Sequence, residues 1–214
     1  MSAVAIDKQA LLLKAMPGFD SVRRYRDALS SIVVVRLLPG ECYVTREDEM
    51  LDTVLGSCVA ACVRNTKTGI GGMNHFMLPN PRIGELSDSW GAVTGNATRY
   101  GGASMEQLIS CVLNVHGSKD DLEVKIFGGA RLLATDIGRH NVEFVREYLR
   151  NEGLSVSAED VGGTAPRHIQ YFPISGKARV KRLVAEQSAT LLSEEIHYGK
   201  TLDERPMAGS VDLF

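Results

Sequence analysis

Apolar positions along the chain follow two rhythms. Met105, Leu108, Ile109, Val112 and Leu113 recur at i, i+3, i+4, i+7 and i+8, which predicts an amphipathic helix that Gly117 is placed to end. Val142, Val145 and Leu149 mark a second helical face, closed by Gly153, and Ala185–Ile196 reads as a last helix. Elsewhere the runs are short and β-branched. Ile32–Leu38 stops at Pro39-Gly40; Leu51–Leu55, Val59–Val63, Ile70–Leu78 and Leu122–Phe127 follow as strands. Leu154, Val156 and Ala158 alternate as a half-buried strand does, and His168–Phe172 and Lys177–Leu183 flank Pro173-Ile174-Ser175-Gly176 as a hairpin. Short strands with few crossovers predict an α+β fold: a layered sandwich of mixed, mostly antiparallel sheet with two or three covering helices.

The ends lack this regularity. Residues 1–30 read as a peripheral, helical N-terminal extension: Lys8–Met16 has helical composition and stops at Pro17-Gly18, and Ser21–Leu29 forms a second short helix capped by Ser21. Residues 31–199 form a single domain, interrupted by a Pro-, Gly- and Ser-rich loop from Asn80 to about Gly95. Residues 200–214 have no period and read as a loose tail.

Composition narrows the function classes. At 214 residues the chain suits one domain and buries enough surface to need no disulfide or metal staple. A net charge of −2 argues against a nucleic-acid footprint, and an aromatic share of 6% argues against base stacking. No run of 18 apolar residues is present, so no membrane span is expected. The four cysteines, at 42, 58, 62 and 111, suit a reducing compartment and a cytoplasmic protein rather than a disulfide framework.

The candidate chemistry centres on Cys58, in Leu55-Gly56-Ser57-Cys58-Val59. A glycine before a reactive residue permits a sharp turn that exposes the side chain and frees backbone N–H groups to form an oxyanion hole. His75 follows in Gly71-Gly72-Met73-Asn74-His75-Phe76-Met77-Leu78-Pro79. If Val59–Val63 and Ile70–Leu78 pair through a turn near Lys67, His75 falls near the Cys58 end of the first strand, where an imidazole favours thiolate. Spacing alone leaves the bland reading open: a buried cysteine acting as a small hydrophobe and a core histidine. Cys58 and Cys62 form C-x-x-x-C without a second pair, so neither zinc nor any other cofactor is expected. Cys111 falls off the main face of its helix and Cys42 lies in a turn. His116, His140, His168 and His197 share no spacing and read as surface or cap residues. Asn141 reads as a helix N-cap, and Asp160 and Arg167 as a pair across a Gly-Gly turn. Gly-Gly pairs at 71, 101, 128 and 162 supply either ordinary turns or a site walled by backbone.

The wording around these residues resembles the CheD family of bacterial chemoreceptor glutamine deamidases. The resemblance rests on Gly56-Ser57-Cys58-Val59-Ala60 and on Gly71 to Pro79. It extends through Tyr100-Gly101, Lys125-Ile126-Phe127-Gly128-Gly129-Ala130, Ile137-Gly138-Arg139-His140-Asn141, and Asp160-Val161-Gly162-Gly163 with Arg167. These segments span about residues 35–185 in the family's order. The resemblance implies a deamidase domain over 31–199, with a layered sandwich similar to toxin-type glutamine deamidases. It further implies Cys58 as nucleophile, His75 as general base, and a threonine that orients the histidine. Thr53 is the natural candidate for that third member. Some members carry the threonine one residue earlier, where this chain has Asp52, and strand neighbours face opposite ways, so one of the two aims at His75. The implied substrate is glutamine on the cytoplasmic helical bundle of methyl-accepting chemotaxis receptors, converted to glutamate through a cysteine thioester. The alternative is a non-catalytic regulator that binds receptors or a CheC-type phosphatase.

Overall fold

The computed structural model describes residues 14–78, 96–113, 117–132, 136–184, 193, 195 and 197–202. Ten strands form two five-stranded sheets. The first has the order β1-β2-β4-β9-β10, from β1 (Arg23–Arg26), β2 (Val33–Arg36), β4 (Glu49–Leu55), β9 (Arg167–Phe172) and β10 (Lys177–Arg182). The second has the order β3-β6-β5-β7-β8, from β3 (Cys42–Thr45), β6 (Gly71–Asn74), β5 (Val59–Asn65), β7 (Leu122–Gly128) and β8 (Val156–Val161). Two pairings are parallel, β2 with β4 and β7 with β8, and the rest are antiparallel. The predicted α+β class of mixed, mostly antiparallel sheet with covering helices holds.

The layers follow from the side-chain pattern. β9 alternates buried Arg167, Ile169 and Tyr171 with half-buried neighbours, as a strand with one face toward the core does. β4 and β5 are buried on both faces, so they read as continuous apolar runs. Leu51, Leu55 and Ile169 of the first sheet join Ala60, Cys62 and Ile126 of the second in one core. Helix α1 (Asn96–Leu113) lies against β3, β5 and β6, and α2 (Ile137–Asn151) against β5 and α1, so the second sheet is sandwiched between the first and the helices. The predicted stripe of α1 is inward: Met105, Leu108, Ile109 and Val112 are buried and Leu113 partly so. No helix among the described residues is long and apolar enough to cross a membrane.

Several expectations need correction. The segment expected as a helix at 21–29 carries β1, an edge strand whose half-buried position, Arg24, is an arginine paired with Glu49, so no apolar alternation is left to read. Ala15, Phe19 and Val22, within the stretch expected to be peripheral, pack into the core. Cys42 is not in a turn: it opens β3, whose four residues are all buried. The Gly-Gly pairs at 71 and 101 lie in β6 and α1 rather than in turns. Ser193, Glu195 and residues 197–202 are helical, so the last helix runs beyond Ile196 and into the stretch expected to be loose. Lys8–Leu13, the loop expected from Asn80 to about Gly95, His116, most of Ala185–Ile196, and the tail beyond Leu202 lie outside the described residues.

Candidate active site

The site begins at the β5–β6 hairpin. β5 and β6 pair antiparallel with Cys62 opposite Met73, and the register continues into a bridge in which Val59 and Phe76 exchange both backbone hydrogen bonds at 2.9 Å. Val59 and Phe76 share one face, and Phe76 packs edge-on to Phe144 of α2. By alternation Cys58 and His75 share the opposite face, toward the first sheet, diagonal to each other across the bridge. The Pro39-Gly40 turn fixes His75 by its backbone: Gly40 N donates to its carbonyl at 2.7 Å, and its own N–H donates to Glu41 O at 2.9 Å.

Thr53 approaches His75 from the first sheet. Its hydroxyl lies 2.9 Å from Leu37 O and 2.9 Å from His75 Nδ1, and both side chains are buried. A hydroxyl has one proton. With that proton donated to the Leu37 carbonyl, Thr53 Oγ1 accepts from His75 Nδ1–H. This fixes the tautomer and leaves Nε2 unprotonated. Nε2 is buried and has no hydrogen-bond partner among the described residues. Burial pushes the imidazole down to about 4, so the ring is neutral, although the nearby Glu195 charge opposes the shift.

Asp52, the next residue back, is also buried but lies on the other face of β4 from Thr53. It binds His168 Nε2 and the Arg36 guanidinium. Burial works against its ionised form, but His168 and Arg36 outweigh that and hold its carboxyl below the usual range. His168 is therefore not a simple surface residue, and Asp52 makes its contacts away from His75.

The Gly56-Ser57-Cys58 turn has all three carbonyls tied down. Ala130 N donates to Gly56 O at 2.7 Å, Asn141 Nδ2 to Ser57 O at 2.8 Å, and Gly129 N to Cys58 O at 2.7 Å. Two glycines make this possible. Gly128 sits at φ +106, and a Cβ there would lie 2.2 Å from Cys58 O; a Cβ on Gly138 would lie 2.6 Å from Ala130 O. With the carbonyls held, the amides of residues 56, 57 and 58 converge on a single point, making an anion-binding nest. That point holds the Glu195 carboxylate. Oε1 accepts from Gly56 N at 2.8 Å and Cys58 N at 3.3 Å, and Oε2 from Ser57 N at 2.9 Å and Ser57 Oγ at 2.7 Å. Burial pushes the Cys58 thiol well up, and the Glu195 charge and hydrogen bond add to this.

Sequence reading missed two contributors. Asn141 is not an N-cap: it lies within α2, fully buried, and its Oδ1 accepts from Leu78 N at 2.9 Å while its Nδ2 holds Ser57. Asp136 occupies the cap position, without a capping hydrogen bond from its side chain, which pairs with Arg139 instead. Glu195 had no signal, because its partners lie more than a hundred residues away. Arg167 does pair with Asp160, Nε to Oδ1 at 2.9 Å, and also donates to Gly162 O at 2.7 Å. Gly162 N in turn donates to Gly128 O at 2.9 Å, buttressing the segment that pins Cys58.

A thiol, an imidazole with one free ring nitrogen, and a preset amide nest are what acyl transfer from an amide requires of a protein. The comparisons with known proteins narrow that class. The family described as CheD chemotactic sensory transduction matches residues 77–182. A protein of Halorhodospira halophila named probable chemoreceptor glutamine deamidase CheD is 50% identical over 201 residues, covering 93% of each chain. Relatives with the same name from Saccharophagus degradans and Hahella chejuensis are 46% and 44% identical, covering 96% and 94% of this chain and 95% and 94% of their own lengths. The chain belongs to the CheD family.

Proposed function

We propose that this protein is a glutamine deamidase of bacterial chemotaxis that converts chemoreceptor glutamines to glutamate, with Cys58, His75 and Thr53 as its catalytic set. The observation that carries the reading is the Thr53–His75 contact, which leaves His75 Nε2 free on the face shared with Cys58. The relatives' names supply the substrate.

Each step follows from this geometry. His75 Nε2 takes the Cys58 proton as sulfur attacks the glutamine amide carbon. The carbonyl oxygen gains charge and is received by the amides of the 56–58 turn once the Glu195 carboxylate has left them; the turn itself needs no reorganisation because its carbonyls are already held. The tetrahedral intermediate collapses as the imidazolium donates its proton to nitrogen, and ammonia leaves. His75 then activates a water that cleaves the thioester, giving glutamate and the free thiol. Thr53 keeps the imidazole in the Nδ1–H tautomer throughout, the orienting role that a carboxylate fills in other triads.

The protein acts in the cytoplasm on the helical bundle of the receptor. A purely binding role, to receptor or to a CheC-type phosphatase, makes no use of a buried histidine with a free ring nitrogen. Intact-mass measurement on a receptor fragment tests the proposal: each converted glutamine adds one mass unit, and Cys58→Ala should abolish the gain. Full activity in Cys58→Ala would overturn the mechanism.

A further inference from the structure

The amide nest is filled by the protein's own side chain. Among the described residues of the last helical segment, Glu195 alone is buried; Ser193, His197 and Lys200 are exposed, and Tyr198 and Leu202 are half-buried against the core. A carboxylate is among the least favourable groups to bury, and this one is held by three backbone amides and a hydroxyl. Tyr198, one turn on, meets the Tyr100 hydroxyl and anchors the segment to α1. Glutamate is also the side chain that glutamine deamidation produces.

We propose that the 56–58 nest is a carboxylate-binding subsite, and that Glu195 occupies it as a built-in copy of the reaction product, closing the site until a receptor segment displaces it. The inference rests on the deamidase reading for its biological sense, but the occupancy stands on the hydrogen bonds alone. The electrostatics agree with a closed state. Beside Cys58 the Glu195 charge opposes thiolate, and next to His75 it favours the proton that a base must shed. A neutral glutamine amide in the same place removes both effects. Displacing the plug also costs substrate affinity, because apparent binding is scaled by the fraction of molecules that are open.

The full-length protein and its Glu195→Ala variant, treated with iodoacetamide at neutral pH, provide the test. Alkylation at Cys58 should be about tenfold or more faster in the variant, because removing the carboxylate opens access to the sulfur and takes away a charge that opposes thiolate. Acetate should slow labelling of Glu195→Ala and leave the parent unchanged. On receptor fragment, kcat/KM should rise through KM. Glu195→Asp keeps the charge but is one methylene short of the nest; it should label at an intermediate rate, and it answers the question if Glu195→Ala does not fold. Labelling of both variants at the parent rate, or no protection of Glu195→Ala by acetate, would overturn the proposal. If the deamidase reading alone were wrong, no chain would convert receptor glutamine, yet the labelling comparison would still report on the plug.

Discussion

Replacing Thr53 by valine removes one oxygen and almost no volume. That oxygen joins Leu37 O and His75 Nδ1, at 2.9 Å each, in a fully buried setting. Thr53→Val therefore leaves a buried carbonyl and a buried N–H without partners. At roughly 1–3 kcal/mol each, less a small gain from burying methyl in place of hydroxyl, the variant should lose about 1–5 kcal/mol of stability. The effect on turnover has a separate origin. Without an acceptor at Nδ1 the ring is free to rotate or to carry its proton on Nε2, and a base misplaced on the ångström scale loses on the order of a hundredfold in rate. The loss should fall on kcat rather than KM, since Thr53 makes no contact on the nest side. Urea unfolding gives the first quantity, ammonia release the second, and nitrogen NMR of the imidazole reports the tautomer. Thr53→Ser should restore most of all three. Unchanged kcat and tautomer in a folded Thr53→Val, with a loss in Asp52→Asn instead, would refute the orientation argument.

Three further outcomes follow from the same contacts. Asn141→Ala breaks a part-buried hydrogen bond to Ser57 O and a buried one from Leu78 N; it should cost about 2–4 kcal/mol in urea unfolding and also lower kcat by loosening the turn. His75 is held neutral in the fold, down to about 4, whereas the unfolded chain protonates it near 6.5. Its contribution to stability is therefore complete above 6.5 and declines as pH falls toward 4; urea midpoints should drop across that window, and the drop should shrink in His75→Gln. Glu195→Gln places the substrate's own side chain at the nest, so the purified variant should gain one mass unit on standing, and Cys58→Ala in the same chain should prevent it.

Much of the second sheet was readable because local pattern and tertiary role coincide there. The β5–β6 hairpin is set by a short turn, and counting along it put His75 near the Cys58 end of the first strand; the Val59–Phe76 bridge adds that the two share a face. The stripe of α1 was legible for the same reason, one face being buried. β1 was not, because Arg23, Tyr25 and Arg26 are exposed on the edge and the half-buried position, Arg24, is taken by a charge paired with buried Glu49 rather than by an apolar residue. β3 was not, because four residues buried on both sides carry no period. The choice between Asp52 and Thr53 turned on which face of β4 looks inward. That depends on β9 and β2, which are remote in sequence. Asn141 looked like a cap because asparagine usually is one near a helix start; its partners, Ser57 and Leu78, are joined to it only by the fold. Glu195 was the least visible of all, since a glutamate on an amphipathic helix is ordinarily solvated.

The turn that receives the carboxylate owes none of its shape to sulfur. Its carbonyls are held by Ala130, Asn141 and Gly129, and its amides belong to the main chain. A gene copy in which Cys58 drifted to another small residue would therefore keep a working receptor for acidic side chains. From this scaffold, the passage between catalyst and sensor of glutamate is one codon long.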